Sequence, residues 1–404
     1  MTDSLWSWLI TAPWALRPDT LLGASLLMVA AALLGEVAWR RLRWPRLTGY
    51  AAVGTVLALA GLGADGNEAA LRLAVDVALA LLLFEAGARL NLRWLARNPW
   101  LLATSLFEAA LAGIAVLIAA RLMGVPPTVA GPLAIIAMGV SPAVIQRVVG
   151  ECNAAGQVTE RLMALSALNT LYAVLALKLL SAGLLLSDPG TWLSALPEVI
   201  VSFFGSFLLG AALGSLLALI AWRLDLRNEN SVVLVLGCVM VALVLAKTLK
   251  LSLLLVPLLA GLWLRNRTDR PWVWPRHFGT VGGVLVLVLF VAVGSGWSPS
   301  ALATAGLVAA VLVLVRWVAK FAAVFALARP SGLAWKQAGA LGASLLPLSA
   351  TAWVMALDFG VAHPAVGPAL MPFVLAMLAF IELPSPLVVM YSLRAVGEIE
   401  KEPR

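Results

Sequence analysis

The chain has 404 residues, of which 62% are apolar and 12% charged, and its mean hydropathy is +0.99. Soluble domains carry about 25% charged residues, so this composition excludes a soluble fold. A formal net charge of +8 would suggest nucleic acid in a soluble protein. Here the positive charge is better explained by the orientation of the protein in the membrane and by contact with anionic lipid. No nucleic-acid partner is therefore expected.

Apolar windows of about 20 residues recur from end to end, and lipid leaves unpaired backbone no partner. The sequence therefore predicts an all-α polytopic membrane protein, with residues 1–404 forming one membrane domain. Residues 1–18 carry three tryptophans and lack the basic start of a signal peptide, which predicts an interfacial segment. About thirteen spans are predicted, at residues 21–39, 47–63, 70–88, 99–122, 130–149, 161–186, 196–222, 231–247, 250–264, 278–296, 301–328, 336–358 and 366–391.

The basic residues predict the orientation. One set of alternate loops holds 20 of the 28 Lys and Arg residues and the opposite set holds 6. Cytosolic loops are enriched in Lys and Arg. We therefore expect a multi-pass protein of the cell (inner) membrane, with its N-terminus outside and its C-terminus in the cytosol.

Two interrupted helices are predicted from proline. Span 5 contains Ser141-Pro142, and span 12 contains Pro347. Proline removes a helix hydrogen bond and clashes with the preceding turn, so both spans should break there. Spans 4–6 and 11–13 then form two inverted repeats, and transporters place substrate sites between such breaks.

Span 11 holds the remaining two cations, Arg316 and Lys320. A cation inside such an apolar run costs roughly 2.5–3.5 kcal/mol on insertion scales. At a spacing of i and i+4 the two share one helical face. They indicate a polar interior site, with snorkelling or a structural bridge between helices as the alternatives.

Several polar or helix-breaking residues fall at one predicted depth. Counted from the cytosolic ends of their spans at about 1.5 Å per residue, they lie roughly 10–17 Å deep, close to Lys320. These residues are Glu108, Pro142, Asn169 and Pro347. This level is the candidate site.

Several motifs resemble those of the monovalent cation:proton antiporter superfamily, in particular its sodium/hydrogen exchanger-like membrane domain. The likeness covers nearly the whole chain. The motifs are RLTGY at 46–50, LLLFEAGARLNL at 81–92, LSLLLVPLLAGLWLRN at 251–266, the segment 289–294, Lys320 followed by Ala328-Arg329, Leu333 and Ala338, and residues 379–393 with Glu382 and Pro386.

The resemblance implies transport of a small inorganic ion across the bilayer rather than enzymatic chemistry. It also implies a homodimer in which a core bundle moves against a scaffold like an elevator. The core would comprise approximately residues 99–186 and 301–391, and the scaffold residues 21–88 and 196–296. A separate regulatory or effector subunit is a further expected partner, and no cofactor is expected beyond a bound Na⁺ or K⁺.

The chain departs from the family at the residues that carry the ion. Relatives have an Asn-Asp or Asp-Asp pair in span 6, where this chain has Asn169-Thr170. Ser166 is retained, and Leu165 replaces a frequent glutamate. Amides and hydroxyls do not titrate near neutral pH, so neither Asn169 nor Thr170 can carry the proton.

Three interpretations stay open. Glu108 can serve as the titratable carboxylate, or it can be a plain structural bridge to Arg316. Two cations with one acid can instead favour an anion or a passive pathway. The scaffold can also act as a non-transporting sensor or effector subunit. Oxygen ligands for Na⁺ or K⁺ would come from Ser141, Asn169, Thr170, Ser349 and Thr351, and the retained Ser166 is a further site residue.

Overall fold

A computed structural model describes residues 20–61, 69–186, 192–223, 229–267, 278–297, 299–348 and 350–399. Across these ranges every regular element is helical. The predicted interfacial segment 1–18 and the predicted site residue Ser349 lie outside the described residues. The all-α prediction is confirmed.

The helices follow the predicted spans in chain order. They are α1 (Thr20–Val37), α2 (Arg46–Leu59), α3 (Ala69–Arg89), α4 (Leu92–Arg97), α5 (Pro99–Leu122), α6 (Pro127–Met138), α7 (Pro142–Glu151), α8 (Gln157–Leu186), α9 (Trp192–Arg223), α10 (Glu229–Thr248), α11 (Leu255–Arg267), α12 (Phe278–Ser295), α13 (Pro299–Ala326), α14 (Trp335–Ala343), α15 (Ala350–Ala362), α16 (Gly367–Ile381) and α17 (Pro384–Ala395). A π-helical turn, Ala38–Leu42, extends α1.

By length and composition, five stretches in the described part of the chain can cross a membrane. They are α5, α6 with α7, most of α8, the central part of α9, and α13. A sixth is α16 with α17, which is bent by 45°. Shorter apolar helices occupy other predicted spans, and the count of thirteen crossings stays a prediction.

Both predicted helix breaks are present. Helix α6 ends at Met138 and α7 begins at Pro142, which occupies the first helical position, where its missing N–H is not needed. Pro347 lies between the end of α14 and the start of α15. The two breaks touch, because the Ser141 N–H donates to the Pro347 carbonyl at 3.0 Å.

The helices pack in two groups. Helix α13 packs on α5, α14 and α16, while α6 contacts α5 and α8. In the other group α11 packs on α3 and α9, and α2 packs on α1 and α12. The predicted boundaries of core and scaffold stay predictions.

Glycines allow the closest approach in the second group. A Cβ at Gly261 would lie 2.0 Å from the Phe84 carbonyl oxygen, and one at Gly87 would lie 2.1 Å from that of Leu258. No side chain fits at these distances, so α3 and α11 are in direct backbone contact. Such small-residue contacts are how helices pack in lipid, where no hydrophobic force draws them together.

Candidate functional site

Helix α13 carries both intramembrane cations into the protein interior. Arg316 and Lys320 lie one turn apart, and each is 0% exposed. Their side chains therefore reach neither lipid nor the headgroups, which excludes snorkelling. The two cations nevertheless have different partners.

Lys320 forms an ion pair with Glu108 of α5. Its Nζ donates to Glu108 Oε2 at 2.6 Å and to the Met138 carbonyl at 2.9 Å. Both side chains of the pair are 0% exposed. Breaking a buried pair by removing one partner leaves an uncompensated charge and costs about 3–5 kcal/mol.

Arg316 binds the ends of both interrupted helices. Nε donates to the Ala137 carbonyl at 2.8 Å, and Nη2 donates to that of Gly139 at 2.6 Å. On the other side Nη1 donates to the Leu346 carbonyl at 2.8 Å, and Nη2 reaches that of Pro347 at 3.5 Å. Carbonyls at a helix C-terminus lack intrahelical partners and carry partial negative charge. One guanidinium therefore holds the two breaks together.

Asn169 and Thr170 of α8 face the same centre. The Asn169 Nδ2 donates to Glu108 Oε1, and its Oδ1 accepts from the Ser105 hydroxyl at 3.4 Å. The Thr170 hydroxyl lies 2.8 Å from the Val140 carbonyl, inside the first break. Both side chains are fully buried. Helix α8 is thus hydrogen-bonded to the ion pair and to the break.

The structure brings together most of the predicted site residues. Glu108, Asn169 and Lys320 are in direct contact, and Ser141 lies in the break that Arg316 binds. Glu108 pairs with Lys320, whereas the structural-bridge interpretation placed it against Arg316. The remaining predicted hydroxyl, Ser166, donates to the Met163 carbonyl of its own helix at 2.8 Å.

Sequence reasoning missed two kinds of participant. Ser105 lies three residues before Glu108 on α5, and this i,i+3 spacing was the available signal. The backbone carbonyls that receive Arg316 and Lys320 carry no side-chain signal at all. Among the described residues no group of three or more His, Cys, Asp or Glu side chains is placed to hold a metal ion.

Interrupted helices whose breaks touch are typical of secondary membrane transporters. The chain belongs to the sodium/hydrogen exchanger transmembrane family, whose family model matches residues 26–389. This confirms the resemblance noted in the sequence. Members of this family are membrane transporters and not enzymes, so the chain is a multi-pass transport-family protein.

Solved structures show the same fold. A structure of the sodium proton antiporter MjNhaP1 from Methanocaldococcus jannaschii at pH 8 superposes with a TM-score of 0.69 and 17% identity, covering 94% of this chain and 97% of that one. A second structure of the same antiporter, an electron-microscopy map, gives a TM-score of 0.70 at 17% identity, covering 96% and 100%. No curated protein sequence matches the chain.

Proposed function

We propose that the chain exchanges a monovalent cation, Na⁺ or K⁺, for a proton, with Glu108 binding the cation and Lys320 carrying the proton. The observation that carries this proposal is the buried pair of Glu108 Oε2 and Lys320 Nζ at 2.6 Å. Family membership supports cation/proton antiport. The pair supplies the carboxylate and the proton carrier that Asn169-Thr170 lacks.

The exchange follows from electrostatics. A cation that binds Glu108 displaces the ammonium of Lys320 from its counter-ion. An unpaired buried ammonium is costly, so Lys320 releases its proton. The total charge of the pair with its ligand is the same before and after, because one positive charge replaces another. Loading one ion therefore unloads the other.

Oxygen atoms around the pair would complete the cation shell. Asn169 Oδ1 is an acceptor within the network of Glu108, and the Thr170 hydroxyl lies at the first break. We also retain Ser166 and Ser349 as candidates. Arg316 contributes a fixed positive charge and holds the breaks, rather than binding the ion.

Transport would proceed by an elevator motion. The core, residues 99–186 and 301–391, would carry the ion pair past a scaffold of residues 21–88 and 196–296. The packing of α13 on α5, α14 and α16 supports this, because the elements around the pair form one group. We further propose a homodimer in the cell membrane with the C-terminus in the cytosol, and a separate regulatory subunit as an additional partner.

Reconstituted vesicles with an internal pH dye test the proposal. Imposed gradients of Na⁺ or K⁺ should move protons, and Glu108→Gln should abolish this movement. Glu85→Gln is the matched control, because Glu85 also pairs with a cation, at 2.6 Å to Arg89, but near the end of α3. Undiminished cation-driven proton movement in Glu108→Gln would refute the assignment.

A non-transporting sensor is the competing function, and one observation favours it. Glu108 and Lys320 are fully buried and satisfy each other, as a purely structural pair would. Vesicles that stay silent under Na⁺, K⁺ and Cl⁻ gradients would support this alternative. Chloride-dependent potentials without proton movement would instead support an anion pathway.

A further inference from the structure

Three hydrogen-bond donors at the start of α7 have no acceptor among the described residues. The hydroxyl of Ser141 is without a partner, and so are the N–H groups of Ala143 and Val144. Pro142 has no N–H to offer. The next N–H, of Ile145, reaches the Ser141 carbonyl at 3.5 Å. The donors are consecutive along the chain, so they lie at one helix end.

All three donors are out of reach of solvent. Ser141 and Val144 are 0% exposed and Ala143 is 1% exposed. A serine at this position usually caps its own helix by accepting from the second or third N–H. Ser141 makes no such bond. Buried N–H groups without an acceptor are rare, so a missing acceptor is indicated.

The charges nearby show what kind of acceptor is missing. Arg316 and Lys320 are both buried, and Glu108 is the carboxylate that interacts with them in the described structure. The cluster therefore carries one net positive charge. The acceptors of Arg316 are neutral carbonyls, one of them Gly139, two residues before Ser141. A buried net charge without a counter-ion is strongly disfavoured.

We infer that one small monoatomic anion, of which chloride is the common example, binds at the N-terminus of α7. The Ser141 hydroxyl and the N–H groups of Ala143 and Val144 donate to it. Helix N-termini favour anions through these free N–H groups and the positive end of the helix dipole. The anion also cancels the excess charge of Arg316, which a bound water would not do.

This anion is a resident counter-ion and is separate from the transported cation. It does not require that the protein transports anything, because its ligands and the charge it balances are present in the resting structure. It also leaves the exchange between Glu108 and Lys320 unchanged, since the added charge is constant throughout the cycle.

Thermal unfolding of the purified protein in detergent tests the anion site. Sodium chloride should raise the Tm in a saturable way relative to sodium gluconate at equal concentration, because gluconate is too large for the position. Ser141→Ala should raise the half-saturating chloride concentration about tenfold, equivalent to about 1.4 kcal/mol. Ser344→Ala is the control, since the equally buried Ser344 hydroxyl donates to the Ala340 carbonyl at 2.7 Å and should bind chloride as the parent does.

Bromide locates the ion directly and does not depend on any variant folding. Crystals of the parent protein grown in sodium bromide should show an anomalous peak within hydrogen-bonding distance of Ser141. An identical Tm in chloride and gluconate, an unchanged half-saturation in Ser141→Ala, or the absence of that peak would each overturn the inference. These measurements involve no transport, so a failed exchange assay leaves them standing.

Discussion

Arg316 and Lys320 lie on the same face of α13 and are equally buried, yet they bind different chemistry. Arg316 donates to four neutral backbone carbonyls at the two helix breaks. Lys320 donates to one carbonyl and to the carboxylate of Glu108. Two cations one turn apart can therefore have different roles: Arg316 stabilises the two helix breaks, and Lys320 pairs with the carboxylate of Glu108.

The chemistry of the two side chains accounts for the division. A guanidinium is a planar fork with five donors and keeps its charge, which suits several fixed carbonyls. An ammonium is a compact point charge that loses its proton more readily when desolvated. The arginine, Arg316, therefore binds the carbonyls of the two helix breaks, and the lysine, Lys320, lies beside the carboxylate of Glu108.

Arg316→Ala should have the largest effect. Three of the four buried carbonyls would lose their donor, while that of Pro347 keeps the Ser141 N–H. Each unsatisfied carbonyl costs about 1–3 kcal/mol, so the free energy of unfolding should fall by on the order of 5 kcal/mol. Unfolding in mixed detergent and SDS micelles measures it. Adding Glu108→Gln should not restore stability, because the carbonyls stay unpaired. Restoration by Glu108→Gln would contradict the division of roles.

Lys320→Met should cause the second-largest loss of unfolding free energy. It leaves the carboxylate of Glu108 buried and without its cation, which costs about 3–5 kcal/mol. The double variant with Glu108→Gln should recover most of this loss, since a neutral amide needs no counter-ion. The same micelle titration measures both. If the double variant is no more stable than Lys320→Met alone, the two residues are not coupled.

Asn169→Leu should lower the free energy of unfolding by less than Lys320→Met does. It removes one hydrogen bond to an ionised group, worth about 1.5–3 kcal/mol, and should also change the half-saturating cation concentration for proton exchange in vesicles. Asn266→Leu is the comparison, because Asn266 of α11 binds the Leu90 carbonyl at 2.9 Å, away from the ion pair. It should lose stability while leaving half-saturation unchanged. Equal shifts in both variants would argue against a role for Asn169 at the pair.

Thr170→Val should have the smallest effect on stability, about 1 kcal/mol, through loss of one neutral hydrogen bond. Because that bond ties α8 to the Val140 carbonyl in the first break, exchange in vesicles should slow measurably. Thr104→Val is the control, because it removes a hydrogen bond from the Thr104 hydroxyl to the Trp100 carbonyl within α5. Exchange should be slower only for Thr170→Val, and equal rates would place Thr170 outside the transport path.

Much of the architecture was predictable from hydropathy and proline alone. Each break lies at its predicted proline, because a missing N–H and a steric clash are local properties of the chain. The common depth of Glu108, Asn169 and Lys320 also followed from counting residues along helices. That estimate needs only the rise per residue.

The partners of the two cations were less predictable. Residue counting fixes depth but not the rotation of a helix about its axis or the rotamer of a long side chain. Sequence reasoning therefore left Glu108 open between a transport role and a bridge to Arg316, and the structure pairs it with Lys320. Backbone carbonyls freed at a break are invisible in the sequence, since every residue has one. The binding roles of the predicted residues stay predictions until transport is measured.

The hydrogen bond from the Ser141 N–H to the Pro347 carbonyl has a consequence for biosynthesis. The first half of the chain emerges from the ribosome with a gap in α6–α7 that only the last third can close. Until α13 has been synthesised, the Ala137 and Gly139 carbonyls lack their donor, Arg316. Insertion can therefore proceed helix by helix, but the centre of the protein is completed late, after translation has delivered both repeats.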